Sequence, residues 1–410
     1  MEEPDRRRAR RPGEADGPRV EREGHVWRIR SMAAARQVLR ARTRTTQAGF
    51  TAEAIPTGGL KHRPILISDG PLHDEQRSKV GRFFAPAVVA ERYTGRMEAS
   101  AAALLDRAAA AGHCTLDELA LLYTVEVTAE AVGLTESPVP AMARRLVGFF
   151  NQPPFDITRD DLGRTPRQWA QAAANGLLPI ARFYLADVRP AIRARRRRPR
   201  QDVISHLIGE GYTDLDILVE CVTYGTAGMV TTREFICMAA WHLLSNPPLR
   251  KRYLSAGQTE RFAILHELIR LEPVVGHLYR RVSAPIELSD GGESWTLPPG
   301  ALVDLCIRPA NADPAVVGER PLDVCPARPL PSGVNQAVLS FGDGAHKCPG
   351  QPLAILESDV FLQRLLARRP RVLTEPELGW EDLIAGYTLR GFELGFGQAE
   401  PSTSASQTLK

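Results

Sequence analysis

The alternation of apolar and polar positions along this chain favours a mainly α body with a small β region. Met32 to Ala41 reads as a helix, followed by a polar, Gly/Pro-bearing loop from Thr43 to Asp69 and then a helix carrying His73. Pro138 to Asn151 and Gln168 to Arg193 read as two further helices, parted by the breaker Gln152-Pro153-Pro154-Phe155. The longest helical pattern runs from about Thr213 to Leu244, and Leu353 to Leu366 forms another. Thr and Gly are poor interior helix formers, yet Ala227-Gly228-Met229-Val230-Thr231-Thr232 sits mid-helix. Such a cluster predicts a local widening in which hydroxyls or water meet the freed carbonyls.

The two ends have no such pattern. Residues 1–25 are charged and Arg-rich without an apolar centre, so they read as a disordered arm and not as a secretory signal. The Ser/Thr-rich stretch 397–410 reads as a disordered tail. No run of 18 apolar residues is present, which argues against a membrane-spanning helix. The net charge is only +4. The basic run Arg193 to Arg200 has no interleaved aromatic residue, so a solvated segment is favoured over a nucleic-acid site. Of the six cysteines none forms a C-x-x-C pair, and neither a disulfide framework nor zinc-ligand spacing is visible. Five of them read as buried thiols, Cys348 being the exception.

Cys348 lies in Phe341-Gly342-Asp343-Gly344-Ala345-His346-Lys347-Cys348-Pro349-Gly350, directly before an apolar helical stretch. A sulfur at a helix N-terminus gains from the dipole and from backbone N–H donors, so its pKa is expected to fall. Such a thiolate can ligate a haem iron from one side and push electron density through it. Glu267 and Arg270 are three apart on a helical pattern and share a face. His73 and Arg77 are four apart, which places two donors on one helix face, as a carboxylate requires.

Together these segments resemble the cytochrome P450 family. The cysteine loop fills all six fixed positions of that family's haem-binding signature, and the resemblance extends over roughly residues 26–396, which it implies are one catalytic domain. It implies a haem b held between the long central helix and the helix after the cysteine loop, with Cys348 as the iron ligand and Phe341, Gly342 and Gly350 shaping the loop. His73, Arg77, Arg281 and His346 would bind the haem propionates. Glu267 and Arg270 would brace the proximal side. Thr231, with Gly228 and Ala227, would form the dioxygen groove. The residue before Thr231 is Val230, where the family carries an acid, so the usual proton relay is broken. Val275 and Gly276, with Ile384 and Ala385 at a hairpin tip, would line the substrate pocket. Pro349 has no N–H to offer the sulfur, which would leave Cys348 more electron-rich.

The implied function is a cytoplasmic monooxygenase of the soluble bacterial, actinomycete-like class. Its electrons would come from NAD(P)H through a separate ferredoxin and ferredoxin reductase. Loops with few charges favour a small to mid-sized neutral substrate, aromatic or cyclic, for hydroxylation or oxidative coupling. The broken relay at Val230 keeps open an alternative, a catalytically poor P450-fold protein acting as partner or chaperone for another enzyme.

Overall fold

The computed structural model describes residues 7–11, 14, 17–49, 60–159 and 161–397. Helices form most of it, and the largest apolar core lies among them. Within that core the helix Gln351–Ala367, which follows the cysteine loop, packs on Pro86–Ala111, on Gln258–Leu271 and on the central helix.

A five-stranded sheet carries the second core. Its strand order is Val20–Glu23, Val26–Ile29, Leu302–Cys306, His277–Val282, Thr45–Ala48, with one parallel pair between the second and third. One face packs on the helix Met32–Arg40 through Val38, Leu39, Val282, Val303 and Leu305. The other carries Val26, Ala48, Leu302 and Tyr279. A hairpin, Glu377–Glu381 with Gly386–Arg390, lies beside the segment that enters this sheet.

Most predicted helices are present. Met32–Arg40 opens on Ser31, whose hydroxyl accepts from the Ala34 amide. The central element opens on Thr213 in a capping box with Asp216 and runs as Asp214–Tyr224, a π segment Gly225–Val230, then Thr231–Ser245. The predicted widening is therefore a π bulge placed on the Thr/Gly cluster. Thr124 donates to the Met229 carbonyl at 2.7 Å, and Thr226 to Val222 at 2.9 Å, so hydroxyls meet carbonyls there as expected.

Three expectations are corrected. The arm is ordered where it is described: Arg7 and Ala9 are buried, and a strand begins at Val20. Backbone amides of the arm find a buried carboxylate, which a charge-rich composition does not reveal. The basic run is helical through Arg197, and Arg195 is buried against Asp202, Glu136 and Thr135, so it is not a solvated loop throughout. Cys325 is only partly buried. The tail beyond residue 397 lies outside the described residues. Among the described residues no helix is long and apolar enough to cross a membrane.

Candidate active site

The cysteine loop is fixed from both sides. Its ends are joined by the Cys348 amide donating to the Phe341 carbonyl at 2.8 Å. Arg36 and Arg40, on the first helix, both hold Asp343. Gly344 has φ +68°, and a Cβ there would stand 2.2 Å from the Leu39 carbonyl oxygen, so only glycine lets the loop meet that helix. Gly342 also has positive φ, whereas Gly350 does not.

Cys348 is exposed, unlike the other five cysteines, although protein surrounds it. Burial pushes its thiol pKa up, against the pull of the Gly350 and Gln351 amides and of the Arg77 charge. The expected fall in pKa is thus overturned in the protein alone, because desolvation outweighs the helix terminus. The sulfur is also not bare. Pro349 removes one N–H, but two others, from Gly350 and Gln351, reach it.

Glu267 and Arg270 form a buried bidentate pair, at 2.7 and 2.8 Å. Arg328 joins them, donating to Glu267 at 3.0 Å, and so does the Cys325 amide. Arg270 also donates to the carbonyls of Asn311, Pro321 and Asp323. Asn311 in turn accepts from the Leu339 amide and donates to Ser340, two and one residues before Phe341. The pair therefore braces the chain that leads into the cysteine loop. Arg328 carried no spacing signal, since it is 58 residues from Arg270.

A second charged cluster stands on the other side of the loop. His73 and Arg77 project from the helix Gly70–Gly81 as expected. His73 is buried and stacks on His346 with ring centroids 4.0 Å apart, and its Nδ1 has no hydrogen-bond partner. Burial, with the charges of His346 and Arg77, pushes its pKa down to about 4. Arg77 donates to the Lys347 carbonyl beside Cys348. His346 meets Asp69 at 3.2 Å, and bonds from His346 and the Gln47 amide hold the Asp69 carboxyl low in spite of its burial.

Arg281, the expected propionate donor, lies on the strand face opposite the one that meets the cysteine loop. Strand neighbours alternate. Leu278 and Val282 belong to the core facing the first helix, while Tyr279 belongs to the opposite one. Arg280 therefore shares the face of Leu278, which lies against Gly342, and Arg281 shares that of Tyr279. Arg280 is buried, interacts with Asp69, and is pushed down to about 10 by desolvation. Only the strand register separates the two arginines, and their adjacency in sequence hid it.

On the π bulge Ala227 is exposed and Gly228 and Thr231 are partly so, between buried neighbours Met229 and Val230. Thr231 donates its hydroxyl to the Ala227 carbonyl. Val230 brings no charge, but Glu357 lies nearby on the cysteine-loop helix, bonded to Thr232 and fully buried, and burial keeps its carboxyl well above the usual range. The two halves of the expected pocket wall also meet. Gly276 donates to the Ala385 carbonyl at 2.8 Å, and Val275 pairs with Gly386 next to Ile384. Ala385 takes φ +46° at the hairpin tip.

The chain matches the family model described as Cytochrome P450 over residues 262–371, the stretch from the bracing helix through the helix after Cys348. It is 26% identical to the erythromycin C-12 hydroxylase of Saccharopolyspora erythraea over 357 residues, covering 85% of this chain and 83% of that protein. The chain thus resembles cytochrome P450s in sequence and in fold. A putative cytochrome P450 135A1 of Mycobacterium tuberculosis is 30% identical over 200 residues, 46% of this chain, and the match spans only 43% of that relative. Among solved structures, a mutant of P450 EryK in complex with erythromycin B superposes with a TM-score of 0.75 at 22% identity, covering 94% of both chains. Ligand-free Mycobacterium smegmatis CYP164A2 gives 0.71 at 26% identity, covering 90% of this chain and 91% of that one.

P450s carry haem b and take electrons from NAD(P)H through redox partners. The residues here fit that group. Cys348 is exposed although protein surrounds it, and His73, Arg77, Arg280 and His346 outnumber the partly buried Asp69 and the exposed Asp74, with the buried His73 Nδ1 left without a hydrogen bond. Two propionates would supply the missing negative charge.

Proposed function

We propose that this P450 is a haem-thiolate monooxygenase that takes electrons from a ferredoxin and its reductase. Its substrate would be a neutral, mid-sized cyclic or aromatic natural product, to be hydroxylated or coupled. The observation that carries the reading is the pairing of an accessible Cys348 sulfur with the uncompensated cluster His73, Arg77, Arg280 and His346. Cys348 would ligate the iron, and the four bases would hold the propionates. The bound haem supplies the redox chemistry of oxygen activation, which no side chain can.

The chain's own residues set protons and pose. Thr231 donates to Ala227, which leaves its hydroxyl oxygen free to accept. Releasing that carbonyl would let it donate into the pocket. With Val230 in place of an acid, the candidate proton store is Glu357, buried behind Thr232 with its carboxyl pushed well above the usual range by burial. Val275, Gly276, Ile384 and Ala385 offer the substrate an uncharged wall. Relatives that act on or bind erythromycins support a bulky cyclic substrate.

The test is spectroscopic. The ferrous–CO complex should show the absorption band that gives the family its name, and Cys348→Ala should abolish it; survival of the band would end this reading. Val230→Asp should shift the ratio of product to released peroxide under turnover with ferredoxin and reductase. No change would place the proton route elsewhere.

A further inference from the structure

The N-terminal arm enters the body of the protein at a built seat. Arg7 is 8% exposed and donates to the carbonyls of Leu271 at 2.6 Å and Arg308 at 2.9 Å. The amides of Arg8 and Ala9 both donate to the carboxylate of Glu272, the second at 3.0 Å. Glu272 is fully buried and also meets His242 at 2.9 Å. Ala9 has no exposed surface and belongs to the main apolar core. The guanidinium of Arg8 lies 4.1 Å above the Trp241 ring, and those of Arg11 and Arg308 lie over Trp380.

Further along, Glu14 reaches Arg308 at 2.7 Å and His277 at 3.5 Å. Arg308 is 1% exposed and presses on the backbone of Gly276, where a Cβ would stand 1.9 Å from its Nη1. His277 meets Asp304 at 2.8 Å, with Cys306 close by. Arg28 and Arg308 already neutralise the two carboxylates there, so this cluster reads as a hydrogen-bonded one and not as a metal centre.

The seat is made of the segments that form the pocket wall. Glu272 precedes Pro273 and Val274, and its carbonyl accepts from the Tyr387 hydroxyl at 3.3 Å. Tyr387 donates its amide to Val274, and Ile307 donates to Gly276. The arm thus touches the helix end, the 274–277 segment and the hairpin at once. Backbone amides on a buried carboxylate resist loosening, because leaving that charge unpaired is costly.

We infer that Arg7, Arg8, Ala9, Arg11 and Glu14 form a latch that fixes the hairpin against Val274–His277 and so determines which substrates the pocket accepts. The latch itself stands on contacts alone; its effect on substrate choice rests on the haem reading above. The test uses the holoprotein lacking residues 1–16, the same protein with a synthetic peptide of residues 1–16 added, and full-length Ala9→Phe, which crowds the seat and leaves the wall's own residues unchanged. Hydrogen exchange at the Gly276, Ile307 and Tyr387 amides should rise about tenfold or more in the deletion and in Ala9→Phe, with Gln351–Ala367 unchanged. The peptide should reverse the rise in the deletion. The affinities for imidazole and 4-phenylimidazole, read from Soret shifts, should change relative to one another and return with the peptide. Unchanged exchange at the wall, or a rise shared by Gln351–Ala367, overturns the latch. A wall that loosens while the two azoles keep their affinity ratio overturns its role in substrate choice. Absence of any Soret shift in the intact protein would instead count against the haem reading. Should the deletion fail to fold, Ala9→Phe and Glu14→Gln carry the same comparison.

Discussion

On one side of the cysteine loop, Glu267, Arg270 and Arg328 use every nitrogen and oxygen they own, each bonded to one another or to backbone carbonyls and amides. On the other side, His73 has an unpaired nitrogen, Arg77 one carbonyl, and Arg280 one bond to Tyr279. The first cluster is buried, and in the second His73 and Arg280 are. The first is closed, and its charges hold chain segments in place. The second is open, and burying cations with too few anions is unfavourable unless a ligand completes them. We read the closed network as architecture and propose the open one as a binding site.

Breaking the closed network should have the larger effect. Arg270→Ala would leave Glu267 buried with Arg328 and the Cys325 amide and free the Asn311 and Pro321 carbonyls, at a cost of about 3–5 kcal/mol. The expected outcome, read by denaturant unfolding and haem content, is a protein that unfolds at much lower denaturant and carries little haem. Arg270→Ala with wild-type stability would show that the brace is not structural.

Opening the second cluster further should act on the ligand and spare the fold. Arg280→Leu should weaken haem retention by about tenfold to a hundredfold, the worth of a charged hydrogen bond, while the apoprotein unfolds as before or later. Arg281→Leu, on the opposite face, should change haem transfer to apomyoglobin little. Equal effects of the two would mean that the strand face does not decide the role.

The smallest effect is in pH. The folded pKa of His73, about 4, lies below the ordinary imidazole value, so the unfolded chain binds its proton first. Apoprotein stability should then fall as pH drops from about 6.5 to about 4, by up to about 3 kcal/mol from this residue. His73→Gln should flatten that part of the profile. Haem binding should flatten it too, since a propionate near the ring favours its charged form. A slope unaltered by His73→Gln would assign it to other groups.

The local motifs were legible in the sequence by itself, and for one physical reason. The cysteine loop, the His73–Arg77 face, the Glu267–Arg270 pair and the Thr/Gly bulge each lie within about one or two turns of chain, where helical geometry and turn sterics fix neighbours. Helix placement followed from the same short-range periodicity. What needed the tertiary structure depends on pairing between distant segments. Strand register put Arg280, and not Arg281, on the face toward the cysteine loop, because one residue of slip exchanges the two faces. Arg328 joined the brace only through the fold, and Glu357 came to lie behind Thr232 by helix packing. The arm looked disordered because its composition is charged; its order comes from Glu272 and two indole rings more than 200 residues away, a match no local pattern encodes.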